Sequence, residues 1–227
     1  MSWMPIFGKG RVKRLILYDL DGTLADTRKD IAQAANHMRA QMRLRPLPDR
    51  AICGYVGLGL RELVQNCLGT EEDRQTEEGM RIYRGYYAEH LLDHTVLYPG
   101  VREALEFFRP RHQAVVTNKP NPYSRKILEA LGIAGYFLEI IAGDSEYARK
   151  PDPESLLAIM SRQGIPAEET VLIGDSAIDV QTGARAGIFT VGVTHGFSDE
   201  QELQAAGPDC VVNSFEELLR FAKREDW

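Results

Sequence analysis

The sequence predicts an α/β fold in which a doubly wound, mostly parallel sheet carries a small helical insert after its first strand. Six short apolar segments have the length and the β-branched content of buried strands. Helical patterns separate the later segments, so strands and helices alternate along that part of the chain. Between residues 27 and 95 the sequence shows only helical periodicity. These three observations define the predicted fold class.

The first predicted strand, residues 15–18, is a continuous apolar run of the kind found where a strand is covered on both faces. Five more segments have strand length and β-branched content; they are residues 112–118, 138–143, 170–175, 189–194 and 209–213. Their alternation with helices favours right-handed crossovers. Ligands of such sheets bind beyond the carboxyl ends of the strands, so the residues that follow these segments are the candidates for a site.

The helical insert separates the first predicted strand from the rest of the sheet. Prolines and glycines punctuate it, namely Pro46, Pro48, Gly54, Gly57, Gly59 and Gly69. The alternating pattern resumes at the segment LYPG, residues 97–100. The predicted boundaries are a core domain of residues 1–26 and 96–227 and a helical domain of residues 27–95.

Three helices of the core carry recognisable start signals. Asn121 followed by Pro122 predicts an N-cap with proline at the first helical position. The segments SDEQ, residues 198–201, and SFEE, residues 214–217, have the capping-box pattern of a serine with Gln or Glu three residues later. We therefore expect helices to begin directly after Asn121, Ser198 and Ser214.

Composition narrows the functional classes. The 227 residues carry a formal net charge of -6 and no dense Lys/Arg block, which predicts no nucleic-acid partner. The three cysteines are too few for a disulfide framework, which favours a reducing compartment. No apolar segment has signal-peptide or membrane-spanning length, so we expect a cytoplasmic protein without membrane contact, its first dozen or so residues poorly ordered. Monomer and homodimer both stay open.

Two aspartates, Asp19 and Asp21, follow the first predicted strand, and Gly22 comes next. Residues i and i+2 of an extended segment point to the same side, so both carboxylates are expected to face one cavity. Two like charges this close favour a metal site, a general acid/base site, or both. For an isolated pair, a solvated strand end with a turn is the plainer interpretation.

A second acidic pair strengthens the functional interpretation. Asp175 ends another apolar strand, and Asp179 follows at i+4 on one face of the next helix. Helix capping explains such residues singly, since carboxylates favour a helix N-terminus. Capping does not explain why two strands deliver carboxylates to the same edge of the sheet. Clustered carboxylate oxygens suit Mg²⁺, whereas the His/Cys ligands of zinc are missing.

Two further strand ends supply anion-binding groups. Thr117 and Asn118 offer a hydroxyl and an amide after one strand, and Lys150 offers a cation after another. Alone, each would be an ordinary turn residue or a solvated charge. Together the four strand ends provide a metal site, a nucleophile, an anion cradle and a fixed cation, which is the equipment for phosphoryl transfer.

In this order the segments DLDGTLADT, TNK, RKPDP and GDSAIDVQTGARAG resemble the four motifs of the haloacid dehalogenase superfamily. Within it, YPGV, TNKPNP and the closing GFSDEQELQAAGPDCVVNSFEELL are similar to the pattern of the phosphoglycolate phosphatases. The resemblance covers nearly the whole chain. It implies a Rossmann-like core of the haloacid dehalogenase type, with residues 27–95 as a helical cap that closes over the site.

The resemblance also implies roles in phosphoryl transfer. Asp19 would be the nucleophile that forms an aspartyl phosphate, and Asp21 the general acid that becomes a general base. The residues expected to hold the phosphoryl group or the substrate are Thr117, Asn118, Lys150 and Gly22, with Thr117 and Lys150 also counted as catalytic. The expected substrate is a small phosphorylated metabolite, with 2-phosphoglycolate as the first choice.

The expected cofactor is Mg²⁺, with Asp19, the backbone carbonyl of Asp21, and Asp175 as ligands. Asp179 would orient Lys150 or a metal-bound water. In the cap, GYVGLGLREL resembles a glycine loop that reaches the site in relatives, and Arg61 within it would bind a substrate carboxylate or be a solvated helix residue.

Alternatives within the superfamily are weakened by single residues. Asp21 argues against a dehalogenase, because a halide leaves without a proton. Ile31 stands where a phosphomutase would carry a cap histidine, and Lys29, the one lysine of the insert, is poorly placed for a phosphonatase. Pyrophosphate, sugar phosphates and N-acetylmuramate 6-phosphate stay open as substrates. A non-catalytic phospho-accepting protein also stays open, although Asp21 beside the nucleophile favours turnover.

Overall fold

The computed structural model describes residues 12–227 and contains eight strands in that range. They are β1 (Leu15–Tyr18), β2 (Ala25–Asp26), β3 (Val96–Leu97), β4 (His112–Val116), β5 (Glu139–Ile141), β6 (Thr170–Gly174), β7 (Phe189–Val193) and β8 (Cys210–Val212). Six of them form a parallel sheet in the order β5-β4-β1-β6-β7-β8. Each lies within one of the six predicted segments, so the predicted sheet is confirmed. The prediction for the first dozen residues concerns a segment that is mostly outside the described range.

Ten α-helices accompany these strands in residues 12–227. They are α1 (Arg28–Gln41), α2 (Asp49–Cys53), α3 (Leu60–Leu68), α4 (Asp73–His90), α5 (Val101–Phe107), α6 (Tyr123–Ala130), α7 (Glu154–Gln163), α8 (Ala177–Ala186), α9 (Glu200–Ala205) and α10 (Phe215–Arg224). Within that range, no helix combines the length and the apolar character needed to cross a membrane.

The central strand β1 is buried on both faces, as its continuous apolar sequence predicts. Ile16 and Tyr18 pack into one apolar cluster, while Leu15 and Leu17 pack into a second cluster on the opposite face. Two separate cores therefore sandwich the sheet. The first also includes buried side chains of α1, α3 and α4, so it continues from the sheet into the helical insert.

Helices α1 to α4 lie between β2 and β3, which pair antiparallel, with Ala25 opposite Leu97. This ribbon was not predicted, because two residues are too few to show a strand pattern. Beside it, the buried carboxylate of Asp30 accepts hydrogen bonds from the backbone N–H groups of His94 and Thr95. These hydrogen bonds connect the first helix of the insert to the segment that follows its last helix.

Two of the three predicted helix starts are wrong by a residue. Helix α6 follows Pro122 as its cap, without a side-chain cap bond, so the predicted role of Asn121 is wrong. Helix α9 is capped by Asp199, whose carboxylate accepts from the Gln201 N–H, and not by Ser198. Adjacent candidates compete for one cap, and the local pattern does not rank them. The Ser214 cap is confirmed, since its hydroxyl accepts from the Glu217 N–H.

Candidate active site

The register of the sheet brings its chemistry-bearing residues to one edge. Tyr18, the last residue of β1, lies beside Val115 of β4 and Ile173 of β6. The residues that follow these three strands therefore emerge together at the carboxyl edge. This edge forms the floor of the candidate site.

Three aspartates meet at this edge, two of them directly after strands β1 and β6 and the third in helix α8. Carboxylate oxygens of Asp19, Asp175 and Asp179 all lie within 4.8 Å of one another. All three side chains are buried. The structure thus brings Asp19 together with the second acidic pair, which lies more than 150 positions later in the sequence. The carboxylate of Asp21 is not part of this cluster.

Lys150 is the cation within this acidic cluster. Its Nζ lies 2.6 Å from Asp179 Oδ1 and 2.9 Å from Asp19 Oδ1. Burial opposes the charge on Lys150, but Asp179 and Asp19 outweigh burial and raise its pKa, so the ammonium stays protonated. The contact with Asp19 has the distance of an ion pair without the angles of a hydrogen bond, which leaves the buried Asp19 Oδ1 without a hydrogen-bond partner.

One ammonium does not neutralise three buried carboxylates. Burial raises the pKa of Asp19 to about 6; Lys150 opposes this shift and Asp179 adds to it. Burial, with Asp179 and Asp19, raises the pKa of Asp175 to about 8. A divalent cation would remove this excess of negative charge. The all-oxygen donor set fits Mg²⁺.

Gly22 makes room for Asp175. Its φ of +81° is in the left-handed region, and a Cβ at this position would lie 2.3 Å from Asp175 Oδ2. The Gly22 N–H donates to the Ala25 carbonyl at 3.0 Å, and the substrate contact expected of Gly22 stays a prediction. Asp175 is held further by the Thr23 hydroxyl and the Phe197 N–H, at 3.0 and 2.7 Å.

The carboxylate of Asp21 turns away from the three aspartates and towards Lys119. Lys119 Nζ lies 2.9 and 3.0 Å from its two oxygens, and the Thr27 hydroxyl donates to Oδ1 at 2.5 Å. The metal contact expected of Asp21 involves its backbone carbonyl and stays a prediction. Lys119 was missed in the sequence, although it follows Thr117 and Asn118 directly at a strand end.

Asn118 has a different position from the one its amide suggested. The amide nitrogen donates to the carbonyls of Lys150 and Gly57, at 2.8 and 2.6 Å, and the amide oxygen accepts from the Lys150 N–H at 2.9 Å. Both ends of the amide are bonded to protein groups, two of them on Lys150, so the side chain positions Lys150 in this structure. The anion contact expected of Asn118 stays a prediction. Thr117, the preceding residue, is buried at the floor of the site, where its hydroxyl accepts from the Lys119 N–H.

Asp179 fulfils both interpretations that the sequence allowed. Its Oδ2 accepts from the Ser176 N–H at 3.2 Å, which is one bond of the capping box of α8, and also from the Ser176 hydroxyl at 2.5 Å. Its Oδ1 binds Lys150. One carboxylate therefore starts the helix and fixes the lysine.

Arg61 does not reach the site. It lies on α3, where its guanidinium pairs with Asp73 and, at 2.6 Å, with Glu77 Oε1 of α4. These pairs agree with the solvated alternative, and the expected substrate contact of Arg61 stays a prediction. The two glycines before it do approach the site. A Cβ on Gly57 would lie 2.9 Å from Ile178, and one on Gly59 would lie 2.6 Å from Arg149.

A cavity of about 910 Å³ lies between the sheet edge and the helices of the insert. Its core wall includes Asp19, Asp21, Thr117, Lys119 and Asp175. Its insert wall is more apolar and includes Ile31, Leu60, Leu63, Tyr83 and Tyr87. Lys150 and Asp179 are not among the described lining residues and lie behind Asp19. A ligand in the cavity would therefore meet carboxylates on one side and aromatic rings on the other.

A buried acidic edge with a fixed lysine beneath a cavity is consistent with the motif resemblance, and the family comparison decides the point. The family model of haloacid dehalogenase-like hydrolases matches residues 16–193. The chain belongs to this family. The matched residues include every aspartate and lysine of the candidate site.

Individual relatives in the haloacid dehalogenase-like family cover nearly all of the chain. A phosphoglycolate phosphatase of Pseudomonas putida is 34% identical over 96% of this chain and 83% of its own length. One of Chromobacterium violaceum is 36% identical over 92% and 96%. The crystal structure of a predicted phosphoglycolate phosphatase from Haemophilus somnus superposes with a TM-score of 0.88 at 28% identity, covering 92% of this chain and 98% of the other.

Proposed function

We propose that this protein is a Mg²⁺-dependent phosphomonoester hydrolase that acts through an aspartyl phosphate, with 2-phosphoglycolate as its substrate. The observation that carries the proposal is the position of Asp19. It lies at the floor of the cavity, paired with Lys150 and within 4.8 Å of two further carboxylates. Two relatives at 34 and 36% identity named phosphoglycolate phosphatase support the substrate.

The proposed magnesium ligands are the carboxylates of Asp19 and Asp175 and the backbone carbonyl of Asp21. When bound, Mg²⁺ offsets the repulsion between the carboxylates and a phosphoryl group. Asp179 is assigned a different task, because its Oδ1 lies 2.6 Å from Lys150 Nζ. It is better suited to hold Lys150 in place.

In the proposed mechanism a carboxylate oxygen of Asp19 attacks phosphorus and the bond to the leaving oxygen breaks. Asp21 gives a proton to that oxygen. In the second transfer Asp21 takes a proton from the water that attacks phosphorus, the bond between phosphorus and Asp19 breaks, and phosphate leaves. Lys150 keeps Asp19 ionised and in position, and Thr117 supports the phosphoryl oxygens from the neighbouring strand end. The phosphoryl group is transferred first to Asp19 and then to water, and Asp19 and Asp21 take part in both transfers.

We further propose that residues 27–95 are a cap domain on a core of residues 1–26 and 96–227. The helices of this segment supply the aromatic side of the cavity, and closing them over the sheet edge would exclude water during the first transfer. The ribbon of β2 and β3 at the base of the segment is suited to be the hinge.

The proposed partner is one small phosphorylated metabolite, without nucleic acid or membrane. The acidic net charge of -6 supports this choice. Free thiols at Cys53, Cys67 and Cys210 support a reducing, cytoplasmic location. For assembly we propose a monomer or a homodimer.

The experiment is a measurement of released phosphate with Mg²⁺ and a substrate panel. It contains 2-phosphoglycolate, pyrophosphate, sugar phosphates and N-acetylmuramate 6-phosphate, and kcat/KM is compared across the panel. We expect 2-phosphoglycolate to have the highest value. A higher kcat/KM for another member of the panel would make that compound the proposed substrate. A stable phosphoprotein that releases no phosphate would overturn the assignment as a hydrolase.

A further inference from the structure

Lys119 is a buried cation at the cavity that the proposed mechanism leaves without a task. It is 9% exposed and lines the cavity beside Asp21. An ammonium group has three N–H donors, and the two Asp21 oxygens take at most two of them. At least one donor is left for a ligand. This free donor, on a buried residue that lines the cavity, makes Lys119 a candidate for substrate recognition.

Tyr87 of α4 holds the other side of Lys119. The ammonium lies 4.8 Å from the centroid of the Tyr87 ring, a cation–π distance. The Tyr87 hydroxyl is buried and has no hydrogen-bond partner among the described residues. Buried hydroxyls normally have a partner, so this one is available to a ligand group beside Lys119. A core lysine and an insert tyrosine thus form one polar corner of the cavity.

The other cations described along the cavity wall are committed or exposed. Arg28 donates to Asp26 at 2.8 Å and to the Tyr98 hydroxyl at 3.0 Å. The side chain of Arg50 is 93% exposed. Arg61, as described above, does not line the cavity. Lys119 is therefore the buried cation best placed to recognise an anionic group on a substrate.

We propose that Lys119, together with the Tyr87 hydroxyl, binds a carboxylate on the carbon next to the phosphoester oxygen. The site is then selective for 2-phospho-carboxylates as a chemical class. This inference rests on the proposed function, because Asp21 is taken to protonate the leaving oxygen. A carboxylate two bonds from that oxygen lies beside Asp21, where Lys119 is found.

The test compares two substrates that differ only at the recognised group. These are 2-phosphoglycolate and 2-hydroxyethyl phosphate, in which a hydroxymethyl group replaces the carboxylate. The measured quantity is the ratio of their kcat/KM values. Lys119→Met should lower this ratio on the order of 10- to 100-fold, because one charge-assisted hydrogen bond to the carboxylate is lost. Lys126→Met, an exposed lysine of α6, should leave the ratio unchanged.

Tyr87→Phe keeps the ring and removes only the hydroxyl. We expect the ratio to fall several-fold with no loss of thermal stability, because the hydroxyl has no protein partner. Tyr86→Phe is the matched control on the same helix, where the ring stacks between His37 and His90. It should change neither the ratio nor the stability.

If Lys119→Met lowers kcat/KM equally for both substrates, Lys119 acts through Asp21 and the inference is overturned. A wild-type enzyme that hydrolyses both substrates equally well would also overturn it, while leaving the phosphatase intact. Absence of phosphate release from every phosphomonoester would overturn the proposed function itself. If Lys119→Met does not fold, the test rests on the kcat/KM ratio of Tyr87→Phe. A ratio equal to that of the wild type would then overturn the inference.

Discussion

The core and the helical insert use charged residues in opposite ways. In the core, Lys150 is buried between Asp19 and Asp179. On the insert, Arg61 pairs with the exposed Asp73 and Glu77 at the surface. Removing one partner of a buried ion pair leaves an uncompensated charge, whereas solvent screens an exposed pair. We therefore expect the same kind of substitution to have large effects on the core and small ones on the insert.

The largest effect is expected at Asp19. Asp19→Asn keeps the shape of the side chain but removes the nucleophile, so kcat should fall by about four orders of magnitude or more. Thermal stability should be retained, because one of three clustered negative charges is removed. Asp73→Asn on the insert is the control and should keep full activity. Substantial Mg²⁺-dependent turnover by Asp19→Asn would contradict the mechanism.

The next effect is on folding. Lys150→Met leaves Asp19 and Asp179 buried without their cation, which should cost about 3–5 kcal/mol in the free energy of unfolding. The measurement is urea unfolding in EDTA, so that no divalent ion replaces the lysine. Lys126→Met at the surface should stay within about 0.5 kcal/mol of wild type. Similar losses in the free energy of unfolding for the two variants would contradict the expected difference between buried and exposed charges.

Gly22→Ala tests how tightly the acidic cluster is enclosed. The left-handed backbone at φ +81° should cost about 1–2 kcal/mol. The contact with Asp175 should cost about 1–3 kcal/mol more and weaken Mg²⁺ binding. Gly69→Ala is the matched control, since φ is +69° and no atom lies within 4 Å of its Cβ. Equal unfolding free energies for the two variants would contradict the crowding at Asp175.

Mg²⁺ should stabilise the protein more at high pH than at low pH. The raised pKa values, about 6 for Asp19 and about 8 for Asp175, mean that the metal-free folded state binds protons more tightly than the unfolded chain. Its stability therefore falls as pH rises from the ordinary value of 3.8 through these values.

Calorimetry with and without Mg²⁺ measures this pH effect. At a hundredfold excess over Kd, Mg²⁺ should add about 2.7 kcal/mol. The Kd itself should be lower at about pH 8 than at about pH 5.5, with proton release on binding at the lower pH. NaCl at equal ionic strength is the control. A Kd independent of pH would contradict the assignment of these two aspartates as ligands.

The smallest effect is expected at Arg61. Arg61→Ala breaks only exposed pairs, so kcat/KM for 2-phosphoglycolate and the unfolding midpoint should both stay within experimental precision of wild type. A large rise in KM would show that Arg61 leaves Asp73 and Glu77 to bind substrate, as the resemblance in sequence predicts.

Local sequence patterns were sufficient for the sheet and for its acidic edge. Apolar runs such as residues 15–18 are strand signals that depend on neighbouring residues alone. Parallel strands place their carboxyl ends together, which is why Asp19 and Asp175 could be assigned to one site from sequence. The two-residue ribbon of β2 and β3 carries no such pattern, and the caps at Pro122 and Asp199 were decided by competition between adjacent residues.

Motif order and strand patterns in the sequence determined the fold class, the family and the aspartates at the sheet edge, because each is encoded in short segments. Tertiary structure alone decided which polar groups are paired. Lys119 forms an ion pair with Asp21, which is 98 positions away in the sequence. The side-chain amide of Asn118 donates to the backbone carbonyl of Lys150. Arg61 pairs with two acidic residues of the next helix. A side chain chooses among partners by distance and burial after folding, and neither quantity is present in the local sequence.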